Sequence, residues 1–124
     1  MNDFEKSLKA CLEGFVELDR LIDRALEKKY SGSCRINIQA KKGRVYKVQV
    51  GSTFDLDPMT PNDSGTVDRD LKLKISAKFE EWQETELKTA IENRKSGWLR
   101  FSISFDAGKP SQITSNPSFD YEIA

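Results

Sequence analysis

The chain has 124 residues, with 20 acidic and 20 basic side chains, no histidine and two cysteines. A single domain is expected at this length, and the balanced charge argues against a general polynucleotide binder, which needs excess Lys and Arg to neutralise phosphates. Without histidine, and with Cys11 and Cys34 isolated from each other, neither a zinc ligand set nor a Cys–His nucleophile is available.

Phe4, Leu8, Cys11, Phe15, Leu18 and Ile22 recur in steps of three and four, and Leu12, Val16, Leu21 and Leu26 widen the stripe. The spacing predicts an amphipathic helix from about Asp3 to Lys29 with a broad core-facing side. Asn2 and Glu5 have capping-box spacing, and Lys28, Lys29 and Gly32 supply stop signals. Gly14 in mid-helix costs about 1 kcal/mol against alanine unless something packs closely there. The opening residues lack the basic and apolar regions of a signal peptide, and no apolar run is long enough to span a bilayer. A cytoplasmic protein that does not enter membranes is expected.

Cys34, Ile36 and Ile38 then alternate with Arg35, Asn37 and Gln39, and Val45 to Val50 alternates again after a turn at Lys41–Arg44 containing Gly43. This is the pattern of an antiparallel hairpin with one wet face. Residues 51–66 read as a loop of turn formers, with Phe54, Leu56 and Met59 expected to tack it to the body. Leu71-Lys72-Leu73-Lys74-Ile75 alternates as a third strand. Phe79, Trp82, Leu87, Ala90 and Ile91 predict a second helix from about Lys78 to Arg94, ended by Lys95-Ser96-Gly97. Trp98 to Phe105 is a strong strand, Asp106–Pro110 a turn, and Phe119, Tyr121 and Ile123 belong to a last strand, for which Ile113 offers an earlier start with a break at Pro117. Trp98, Phe101, Phe119 and Tyr121 are expected in the sheet core. No internal repeat is visible. The order implies an α+β fold, a two-layer sandwich whose antiparallel sheet carries the long N-terminal helix and the second helix on one face.

Charge is unevenly spread: net −1 over residues 1–34, +5 over 35–50, −5 over 51–93 and +1 over 94–124. Glu80, Glu81, Glu84 and Glu86 surround Trp82, and Asp55, Asp57 and Asp63 stand in the preceding loop. These seven acids, with Trp82 as an aromatic anchor inside an acidic rim, are the candidate partner-binding residues. A first-turn position near the predicted helix start would account for Glu80 and Glu81 through the helix dipole alone. The cations Arg35, Lys41, Lys42, Arg44 and Lys47, with Tyr46 among them, could follow a phosphate backbone. Alternation divides them between two faces and a turn, which favours a solubilising edge.

No cofactor or metal site is indicated. A calcium loop counted from Asp55 meets Met59 and Thr60 where an oxygen ligand and Gly are required, and Thr66 where Glu is required. Gly108-Lys109 lacks the earlier Gly of a phosphate loop, no dinucleotide fingerprint is present, and no carboxylate pair is singled out for acid–base work. No catalytic residue is assigned, and the chain is expected not to be an enzyme.

Trp98-Leu99-Arg100-Phe101-Ser102-Ile103-Ser104-Phe105, then Gly108-Lys109, then Phe119-Asp120-Tyr121-Glu122, resembles the ending of the YezG-like family of bacterial toxin immunity proteins. In that family a Trp-led strand, a Gly-Lys turn and a final acidic-aromatic strand recur. The likeness covers about the last quarter of the chain, and Pro110 stands where the family carries an aromatic residue. The resemblance implies an immunity protein of a polymorphic or contact-dependent toxin system. Its partner would be a cognate toxin C-terminal domain, often a nuclease, whose basic active-site surface it covers. A secretion or assembly chaperone binding one protein, or a nucleic-acid-binding accessory domain using the hairpin cations, are the alternatives.

Overall fold

A computed structural model describes residues 3–54 and 68–120 of the chain. Helix α1 (Asp3–Lys28) buries Ser7, Cys11, Leu18, Ile22, Ala25 and Leu26. Leu12 and Val16, expected in the stripe, are 57% and 46% exposed. At 3.6 residues per turn they lie about 100° and 140° round the helix from the centre of that line, beyond reach of the sheet.

Four antiparallel strands follow the order β2-β1-β3-β4, with β1 Gly32–Lys41, β2 Arg44–Ser52, β3 Ser96–Asp106 and β4 Lys109–Asp120. Cys34, Ile36, Ile38 and Ala40 of β1 and Leu99, Phe101, Ile103 and Phe105 of β3 make the buried side of the sheet, and the helices pack there. The chain is therefore α+β, as its patterning implies.

The segment from 69 to 75 corrects the sequence reading. Leu71–Ile75 is not a strand but the start of a second helix: α2 (Arg69–Trp82), a π-helical turn (Gln83–Leu87) and α3 (Lys88–Glu92) run on without a break. The Asp68 carboxylate caps it, accepting from the N–H groups of Asp70 at 3.0 Å and Leu71 at 3.2 Å. Leu71, Ile75, Phe79 and Trp82 then fall at helical spacing towards the core, which outweighs leaving Leu73 67% exposed. Lys72, ion-paired with Asp19 and 2.6 Å from Asp23, ties this helix to α1. Trp98 also departs from expectation. It lies on the open side of the sheet, with the Arg100 guanidinium 5.3 Å from its ring centroid. Strand β4 passes through Pro117, opposite Leu99, which an edge strand permits because its outer N–H positions need no partner.

The structure contains a repeat that the sequence conceals. Features of one half recur 65 positions later. Helix ends close on residues of positive φ at Lys29 (55°) and Arg94 (50°), and hairpins turn at Lys42-Gly43 and Ala107-Gly108, all four again with positive φ. Bulges interrupt the ladders at Gln39/Ala40 and Ser104/Phe105. The contacts are reciprocal. The Lys42 N–H donates to Ser96 Oγ and the Ala107 N–H to Ser31 Oγ, both at 2.9 Å. The Gly43 N–H donates to the Lys95 carbonyl at 3.0 Å and the Gly108 N–H to the Tyr30 carbonyl at 2.9 Å. Strands β1 and β3 pair Gly32 with Phe105 and Ala40 with Gly97, so Ile36 faces its own counterpart Phe101. Such self-complementary pairing defines an approximate two-fold axis through the sheet centre. Ahead of the π-helical turn the spacing becomes 64, matching Cys11 to Ile75, Phe15 to Phe79 and Leu18 to Trp82. The turn accommodates one extra residue in the second helix.

Candidate functional site

Helix extension changes the meaning of the acidic cluster. Because α2 starts at Arg69, Glu80 and Glu81 lie three turns inside the helix, where its dipole no longer stabilises them. Glu80, Glu81 and Glu84 are exposed and Glu86 is half-buried. The salt bridge here, Lys78 to Glu81 at 3.7 Å, joins side chains about two-thirds exposed and contributes little. Glu80 and Glu84 are like-charge neighbours one turn apart, which costs a few tenths of a kcal/mol. Asp55, Asp57 and Asp63 lie outside the described residues.

Trp82 does not stand on the acidic rim. It is 3% exposed and packs against Phe79 (5.7 Å between ring centroids) and Phe101 (5.5 Å). It forms part of the wall of a groove of about 280 Å³ between the second helix and β4, with Phe101 and Ile113 beside it and Glu81, Thr85 and Glu86 along the helix. The Ser115 hydroxyl, from β4, donates to Glu86 Oε1 at 3.2 Å. Thr85 Oγ1 donates to the Glu81 carbonyl at 2.6 Å, meeting an acceptor where the π-helical turn disturbs the regular ladder. The Trp82 indole N–H, fully buried, has no hydrogen-bond partner among the described residues.

The opposite surface is the open side of the sheet. Arg35, Lys41, Arg44, Lys47 and Arg100 share it, with Trp98 and Tyr46. The bulge at Gln39/Ala40 brings Arg44 and Lys47 to one face, where strict alternation would divide them. Tyr46, the bulged residue, donates to Gln39 Oε1 at 3.1 Å. The sequence contains no carboxylate in β1, in β2 or in residues 96–105 of β3.

Both thiols are buried, and desolvation pushes Cys11 and Cys34 up to about 12. They stay protonated across the physiological range and make poor nucleophiles. Among the described residues, no group of three or more His, Cys, Asp or Glu side chains could hold a metal ion, and no helix is long and apolar enough to cross a membrane. Compared with protein-family models, curated proteins and solved structures, the chain matches none.

The sequence pointed to Glu80, Glu81, Glu84 and Glu86 through charge alone. It gave no notice of Phe101, Ile113 and Ser115 as their neighbours, since these arrive through long-range pairing of β3 and β4. The available signal was the five-residue step from Trp82 to Leu87, which marks a π-helical turn between two buried positions.

Proposed function

We propose that the chain is a cytoplasmic immunity protein, which binds the toxic domain of a bacterial toxin and neutralises it without chemistry of its own. The observation that carries this reading is the run Glu80–Glu86 on the second helix: four carboxylates in mid-helix, without dipole stabilisation and with weak internal pairing. Such a surface has negative potential available for a cation-rich protein. A nuclease active site is cation-rich because it must hold phosphates, so covering it with a rigid acidic ridge both steers association and occludes the site. The resemblance of about the last quarter of the sequence to YezG-like immunity proteins supports the same assignment.

The test replaces Glu80, Glu81 and Glu84 together by lysine and measures association with the toxic domain encoded beside the gene. At low salt the association rate should fall at least about tenfold, with little change in melting temperature, because all three side chains are exposed. An unchanged association rate would show that the ridge is not the docking surface. A second reading, an accessory domain that binds a polyanion, is favoured by the five cations and two aromatic residues on the open side of the sheet.

A further inference from the structure

The internal two-fold lets the groove beside Trp82 be compared with its own counterpart. In the first half, α1 lies directly on β2. A Cβ added at Gly14 would stand 2.5 Å from Val48 Cγ1 and 3.3 Å from Ile36 Cδ1, so no room remains between helix and strand. The residue equivalent to Gly14 is Lys78, and those equivalent to Ile36, Val48 and Val50 are Phe101, Ile113 and Ser115. These four line the groove. The same architecture thus exists in a closed form, built with glycine and two valines, and an open form, built with lysine and serine. The opening is a property of these residues and not of the fold.

The open form also holds features that packing does not explain. The buried Trp82 indole N–H has no acceptor among the described residues, whereas its counterpart Leu18 needs none. The π-helical turn is confined to this half and lies against the groove. Two carboxylates, Glu81 and Glu86, stand at its helical wall, where the equivalent residues of α1 are Glu17 and the apolar Leu21.

We propose that this groove receives one cationic side chain, lysine or arginine, presented by the partner protein. The aliphatic stem would lie on Trp82, Phe101 and Ile113, and the charged head would reach Glu86 and, displacing the exposed Lys78 ammonium from its weak pair, Glu81. The aromatic wall adds attraction for a cation that a groove of aliphatic residues would not. This inference rests on the reading of the chain as a binder of a basic protein.

The chain has two tryptophans, one beside the groove and one on the opposite side of the sheet, so its two indole N–H resonances report on the two faces separately. The nitrogen-15-labelled chain is titrated with the blocked peptide Gly-Gly-Arg-Gly-Gly and with the same peptide carrying Glu in place of Arg. The Arg peptide should shift the Trp82 indole and the amides of Glu81, Glu86 and Ser115 saturably, leaving Trp98 still. The Glu peptide should move none of them. Thr85→Trp, at an exposed position on the helical wall, should weaken the Arg peptide at least about tenfold while the melting temperature holds. Ser115→Val, which restores the residue of the closed half, should weaken it as well. The proposal is overturned if the Trp82 indole does not respond, if Trp98 responds instead, or if both peptides act alike. Full protection against the toxin by the Thr85→Trp chain would also overturn it while leaving the immunity reading intact. Specific binding of the Arg peptide by a chain that protects no cell would sustain the groove and remove the immunity reading.

Discussion

Replacing Phe101 by alanine is expected to lower the stability of the fold by about 3–5 kcal/mol, read from urea or thermal unfolding. Phe101 sits at the two-fold axis, 2% exposed, opposite Ile36 and with Phe79 and Trp82 rings at 5.1 and 5.5 Å. Removing its ring leaves a cavity against Phe79 and Trp82, and the aromatic cluster of the helices loses the member that joins it to the sheet. Small domains hold only about 5–15 kcal/mol in total, so a melting temperature lower by more than 10 °C is expected. A loss below about 1 kcal/mol would mean that the cluster repacks and that the axis is not the centre of the core.

The two hairpin turns give the second large effect, and they should give it equally. Gly43 and Gly108 have φ of 78° and 80°, and each turn presses against the end of the other half's helix. A Cβ on Gly43 would stand 2.5 Å from the Ile91 carbonyl oxygen, and one on Gly108 2.7 Å from Lys29 Cα. Backbone cannot yield as a flexible side chain does. Gly43→Ala and Gly108→Ala should each cost about 2–4 kcal/mol, combining left-handed backbone strain with overpacking. Gly51→Ala is the control. Its added Cβ meets nothing nearer than Arg35 Nη2 at 3.8 Å, and a change within about 0.5 kcal/mol is expected by the same unfolding measurement.

How far the sequence discloses this molecule depends on the period of each segment. Helix α1, β1 and β3 announce themselves because their buried residues keep a clean period of 3.6 or 2. Leu71-Lys72-Leu73-Lys74-Ile75 misleads because lysines alternate with apolar residues by coincidence. Asp68, placed to cap the first turn of a helix, was the contrary signal. The repeat is hidden for a related reason. At the spacing of 65 its halves share Ala25/Ala90, Glu27/Glu92, Ser31/Ser96, Gly32/Gly97, Arg35/Arg100, Ile38/Ile103, Gly43/Gly108 and Phe54/Phe119, and at 64 Phe15/Phe79 and Glu17/Glu81, identities too scattered to stand out along the chain. The π-helical turn then shifts the spacing from 65 to 64 and breaks any alignment through the helices. At the candidate site, charge was legible because acids in a row need no tertiary context. The burial of Trp82 and the groove beside it were not, since both arise where β4 meets a helix some thirty residues earlier in the chain. The cationic side of the sheet was invisible for want of the bulge at Gln39/Ala40.

Hydrogen exchange on the chain, free and bound to the toxic domain encoded beside its gene, most directly tests whether the acidic ridge is the working surface. Protection gained on binding should concentrate in residues 78–92 and in β4 around Ile113–Ser115. Protection centred instead on β2 and the neighbouring cations of β1, with residues 78–92 exchanging as in the free chain, would place the partner on the other side of the sheet and contradict the ridge.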